Sequence, residues 1–97
     1  MVADATHSFR DPPVALVTGG ARKLGASISR HLARCGYRVV INYRSSRPQA
    51  ESLLRQIVER GGEGIRVRAD VTREREVGRL FQRVRGAYGR IDVLVNN

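Results

Sequence analysis

The chain has 97 residues, 41% hydrophobic and 28% charged, with ten glycines and three prolines, a balance that excludes both a disordered and a collagen-like polypeptide. The single cysteine, Cys35, excludes an internal disulfide framework and a cysteine-rich metal site, and no apolar run approaches the ~20 residues of a membrane span. Eighteen basic against nine acidic residues give a net charge of +9. Between Pro12 and Ala50 there is no acid, while Arg22, Lys23, Arg30, Arg34, Arg38, Arg44 and Arg47 all fall there, so this +7 stretch attracts anions.

Residues 1–12 show no periodicity and are expected to form a flexible tail; they also lack the apolar core of a secretory signal, which makes the expected compartment cytoplasmic. Residues 13–97 then alternate between two patterns. Val14-Ala15-Leu16-Val17 reads as a buried strand ending in Thr18-Gly19-Gly20. Leu24, Ile28, Leu32 and Cys35 follow at helical spacing, with Gly36 as the expected C-terminal stop. Arg38–Ile41 predicts a second strand, and Ala50, Leu53, Leu54, Ile57 and Val58 predict a second helix closed by Gly61-Gly62. Ile65, Val67 and Ala69 alternate with Arg66 and Arg68, as in a strand near a sheet edge. Val77, Leu80, Phe81, Val84 and Tyr88 predict a third helix, and Ile91–Val95 a fourth strand. This βαβαβαβ pattern implies an α/β fold: part of a Rossmann-type, doubly wound parallel sheet in the order 3-2-1-4, with its ligand crevice at the carboxyl ends of strands 1 and 4.

The loop Thr18–Gly25 joins the first strand to the first helix. Glycines there let backbone approach a ligand, and the free amides of the helix start favour phosphate. Gly20 and Gly25 have the spacing of a P-loop, but Ala26 stands where the phosphate-gripping lysine belongs; the simple G-x-G-x-x-G fingerprint fails as well. The T-G-x-x-x-x-x-G loop, the Asp70-Val71 pair after the third strand and Val95-Asn96-Asn97 after the fourth together resemble the short-chain dehydrogenase/reductase family, whose loop is usually T-G-x-x-x-G-x-G. Pteridine reductases and 3-oxoacyl-carrier-protein reductases are the most similar members in pattern. Lys23 departs from the family's middle glycine and places an extra cation by the pyrophosphate.

The resemblance implies a cofactor cradle in Gly19, Ala21, Arg22, Lys23, Leu24 and Gly25, an adenine contact at Asp70 and Val71, and a nicotinamide-side ribose contact at Asn97, with Asn96 mainly holding the fourth strand. Thr18 is expected to tie the loop to that strand, and Asp92 to be structural. The choice between NAD and NADP falls at Tyr43, Arg44, Ser45 and Ser46. An NAD enzyme places an acid about 20 residues beyond the loop. Here that place holds Tyr43, and the nearest acid downstream is Glu51. Arg44 can pair with a 2′-phosphate, Ser45 or Ser46 can donate to it, and Arg22 can approach it, which favours NADP(H).

Family members transfer hydride between the nicotinamide and a carbonyl, imine or alcohol, using a Ser and a Tyr-x-x-x-Lys motif in which Lys lowers the Tyr pKa. The tyrosines here are Tyr37, Tyr43 and Tyr88 and the one lysine is Lys23, so none forms that motif and no catalytic residue is assigned. Residues 13–97 are therefore expected to be the N-terminal part of an NADP-binding domain cut after its fourth strand, its partner a small-molecule substrate and, in the full-length relative, a second copy. The alternatives are a non-catalytic dinucleotide-binding module or inactive truncated product, and a basic nucleic-acid-binding fragment. Against the latter, no helix-turn-helix or stacking platform is visible. His31 has no second ligand nearby and reads as a surface or satisfied side chain, and Cys35 as a small apolar one.

Overall fold

The structure, a computed structural model, describes residues 11–97. Seven elements follow in strict alternation: β1 Val14–Val17, α1 Lys23–Arg34, β2 Arg38–Tyr43, α2 Arg47–Glu59, β3 Glu63–Arg68, α3 Glu74–Tyr88 and β4 Val93–Val95. The strands form one parallel sheet in the order β3-β2-β1-β4. Parallel neighbours need crossovers, and here the helices supply them on both faces. Alternate side chains of β2 separate the two cores. Val39, Ile41 and Tyr43 pack with Ala26, Leu53 and Ile57 under α1 and α2, whereas Val40 packs with Val14, Leu16, Leu80 and Val84 under α3. β1 is buried at every position and lies at the sheet's centre; β3, with its exposed arginine, lies at an edge as its alternation predicts.

Three helical stripes differ from their expected positions. Leu24 is 65% exposed, and the inward positions of α1 are Gly25, Ala26 and Ser29. Small residues let this helix approach the β1 loop closely: a Cβ at Gly25 would strike the Gly19 carbonyl oxygen and come within 2.8 Å of Asn97 Nδ2. Val58 and Phe81 are also exposed, because α2 and α3 turn only Ala50, Leu53, Ile57 and Leu80, Val84 fully inward. β2 runs two residues further than expected, carrying Asn42 and Tyr43 into the sheet, and β4 is shorter by Ile91 and Asp92.

The amino ends of β1, β2 and β4 are clipped together by ion pairs and hydrogen bonds. Asp92 Oδ2 accepts from the Val14 amide at 2.8 Å, Arg90 pairs with Asp92 (2.8 Å) and Asp11 (2.7 Å), and Arg38 pairs with Asp11 (3.0 Å), donates to the Pro12 carbonyl (2.6 Å) and lies over the Tyr88 ring. Arg90 as donor, then the Val14 amide, holds the Asp92 carboxyl below the ordinary aspartate value. Most of the expected tail, residues 1–10, lies outside the described residues; its last two, Asp11 and Pro12, carry these contacts to the body.

Candidate functional site

Because all four strands run the same way, the segments after them gather at one end of the sheet: Thr18–Gly25 after β1, Arg44–Ser46 after β2, Ala69–Thr72 after β3 and Asn96-Asn97 after β4. Every sequence-predicted site residue lies in or beside these segments, and the β1 loop is tied to two neighbours. Thr18 Oγ1 donates to the Val95 carbonyl (3.3 Å) and accepts from the Asn97 amide (3.0 Å). Asn97 Nδ2 donates back to the Gly19 carbonyl (3.1 Å). Gly19 has φ +59, a left-handed turn open to glycine, and its amide donates to Asn42 Oδ1 at 3.3 Å. The Asn42 amide group donates to the carbonyls of Val67 (3.4 Å) and Ala69 (3.1 Å).

Asn42 thus joins the glycine loop to β3, and it is 2% exposed. Sequence reading overlooked it as a determinant of the site. The available signal was one amide side chain inside an otherwise apolar strand, a group that burial tolerates only with partners.

The start of α1 is prepared for an anion. Its first turn holds no acid, and Arg22 provides no side-chain cap. Ala26 is the first amide to bond back into the helix, to the Arg22 carbonyl, so the amides before it are left unpaired by the helix at the positive end of its dipole. An open cleft of about 390 Å³ lies there, lined by Gly19, Arg22, Lys23, Leu24 and Asn97. Leu24, displaced from the core, forms one wall of it. Ala21 is buried beneath the loop. Lys23 adopts φ +50, the left-handed region that a glycine at this position enters freely.

At the far side of the crevice, Tyr43 is only 5% exposed, its ring in the core and its hydroxyl accepting from Arg66 at 3.2 Å. What Tyr43 offers the crevice is backbone. Arg44 and Ser45 are exposed and Ser46 half-buried. Asp70 Oδ1 accepts from the Thr72 hydroxyl (2.6 Å) and amide (3.0 Å), and Oδ2 faces Arg44 (3.9 Å) and Arg73 (3.6 Å). Those Thr72 bonds, more than the arginines, hold the Asp70 carboxyl below its ordinary value. The exposed Val71 follows it in the turn.

Among the described residues no group of three or more His, Cys, Asp or Glu side chains is placed to hold a metal ion, and no helix is long and apolar enough to cross a membrane. Cys35 is half-buried, 3.8 Å from His31 Nε2.

A parallel sheet with a glycine turn, an uncapped helix start and a polar crevice at its carboxyl end defines the class of dinucleotide-binding Rossmann proteins. The family model for short chain dehydrogenases matches residues 13–97, and the chain belongs to that family. It is 43% identical over 84 residues to a 3-oxoacyl-[acyl-carrier-protein] reductase of Synechocystis sp., covering 87% of this chain and 34% of the relative. It is 39% identical over 84 residues to a hydroxynaphthalene reductase-like protein of Metarhizium robertsii, covering 87% and 32%. Its fold superposes on a metagenomic short-chain oxidoreductase in complex with NADP with a TM-score of 0.82 at 39% identity, covering 88% of this chain and 38% of that one. A Burkholderia cenocepacia protein with bound NADP gives 0.81 at 36% identity, covering 87% and 33%. The chain therefore spans about a third of the length of the relatives it matches.

Proposed function

We propose that residues 13–97 form the NADP(H)-binding part of a short-chain reductase acting on a carbonyl, imine or alcohol. The observation that carries the reading is the β1–α1 junction: glycines at 19 and 25, an acid-free uncapped helix start, and Arg22 and Lys23 on one cleft with Asn97. The residues present fit a dinucleotide. The space that a Cβ at Gly25 would fill keeps the helix start against the loop, where its amides reach a pyrophosphate. Tyr43 stands where an NAD-binding protein carries an acid, and the next residue, Arg44, can swing onto a 2′-phosphate, being 73% exposed at its side chain. NADP-bound neighbours of the same fold support the choice of cofactor.

When bound, the cofactor supplies the hydride. The residues of this chain bind and orient it: the loop amides hold the pyrophosphate, Asp70 and Val71 meet the adenine, and Asn97 meets the nicotinamide-side ribose. Proton exchange with substrate belongs to a Ser and a Tyr-x-x-x-Lys motif, which residues 1–97 do not contain.

The test is titration of the chain with NADPH and NADH, followed by intrinsic fluorescence or calorimetry. Arg44→Asp is expected to weaken NADPH at least about tenfold more than NADH, because a charge-assisted hydrogen bond to the 2′-phosphate gives way to repulsion between like charges. Equal weakening of both cofactors refutes the NADP assignment, and binding of neither refutes the dinucleotide site.

A further inference from the structure

Arg44 is not alone at the edge of the crevice. Its Nε and that of Arg73 both lie near the same oxygen of Asp70, at 3.9 and 3.6 Å, although the two arginines come from the ends of different elements, β2 and the β3–α3 turn. Both side chains are more than 70% exposed, whereas Asp70 is 17% exposed and held by the Thr72 hydroxyl and amide. The carboxylate is the anchored, largely buried member and the two guanidinium groups are the exposed ones, with solvent around them in which to turn. Glu76 completes the cluster: its Oε1 accepts from the Asp70 amide (2.8 Å), and its Oε2 stands 3.9 Å from Arg73.

We propose that Arg73, working with Arg44 across the Asp70 carboxylate, is a second determinant of 2′-phosphate recognition in this site. The inference rests on the NADP reading above. Two guanidinium groups converging on one carboxylate oxygen can close around a phosphate monoester, which offers three acceptor oxygens and nearly two charges. Both lie within ion-pair distance of Asp70, so a 2′-phosphate competes with that carboxylate for them. Asp70 then has two opposed effects. Its contact with the adenine serves NADPH and NADH alike, while its charge opposes only the 2′-phosphate. The ratio of the two affinities separates these effects.

The experiment measures dissociation constants of the chain for NADPH, NADH and the fragment probe 2′,5′-ADP, at low and high salt, with circular dichroism of each variant. Arg73→Gln is expected to weaken NADPH and 2′,5′-ADP by about fivefold, the upper end for one exposed ion pair, with NADH changed by less than about twofold. Asp70→Asn is expected to move the NADPH-to-NADH preference the opposite way. Arg73→Lys is expected to restore part of the preference, because the charge returns without the fork. If Arg73→Gln leaves the preference unchanged while Arg44→Asp abolishes it, Arg73 has no part in recognition and the NADP reading stands. If Arg73→Gln weakens both cofactors equally, its role is to position the β3–α3 turn and the inference fails. Failure of the unsubstituted chain to bind either dinucleotide overturns the reading and the inference together.

Discussion

Replacing Asn42 with leucine removes a side chain that, among the described residues, hydrogen-bonds both the glycine loop and β3. Three hydrogen bonds disappear: from the Gly19 amide, and to the Val67 and Ala69 carbonyls. The side chain is 2% exposed, so water does not replace it, and each such bond contributes about 1 kcal/mol net. Gly19 is exposed and its amide can turn to solvent, which limits the penalty of an orphaned donor. The apolar replacement returns roughly 1 kcal/mol of burial, and the buried Val67 and Ala69 carbonyls each lose a donor, so the net destabilisation is at least about 2 kcal/mol. For a domain of this size that corresponds to a fall in Tm of roughly 10 °C, read by circular dichroism. Hydrogen exchange at the Gly19 amide gives the local reading and is expected to accelerate. Asn42→Asp keeps the acceptor for Gly19 but turns a carboxylate toward two carbonyl oxygens, and is expected to destabilise at least as much. A leucine variant with unchanged Tm and unchanged Gly19 exchange refutes the argument that Asn42 organises the loop.

At Lys23, φ +50 strains a residue with a Cβ by about 1–2 kcal/mol, which glycine relieves, while the greater freedom of glycine in the unfolded chain costs about 0.4–1 kcal/mol, so Lys23→Gly is expected to stabilise by roughly 0.5–1 kcal/mol. Urea denaturation checks the sign; if the ammonium group faces the pyrophosphate, dinucleotide affinity falls in the same variant. Asp92 and Asp70 have carboxyl pKa values lowered in the folded chain, so their contribution to stability is complete above the unfolded value of ~3.9 and is lost as pH falls through the folded one. The urea midpoint is expected to drop in that acid window, and Asp92→Asn to reduce the drop; an identical acid profile in the variant counts against the clip at the amino ends of the strands.

The alternation of apolar runs with helical stripes was sufficient for the parallel sheet, its order 3-2-1-4 and the end at which the segments after the strands gather, because parallel strands joined by right-handed crossovers leave few topologies. The family resemblance singled out the loop, the Asp70 turn and the Asn96-Asn97 segment, and the strand pattern put all three at one end, since in such a sheet each follows a strand. Periodicity reports which side of an element faces inward, and only approximately near its ends. Leu24 therefore went to the cleft wall and Tyr43 to the core, decisions made by how closely α1 approaches the β1 loop and how far β2 extends. The role of Asn42 and the meeting of Arg44, Asp70 and Arg73 lay beyond the sequence for a related reason. Each joins residues that are distant in the chain or on different elements, and only strand register and packing bring their polar atoms within a hydrogen bond or an ion pair of one another.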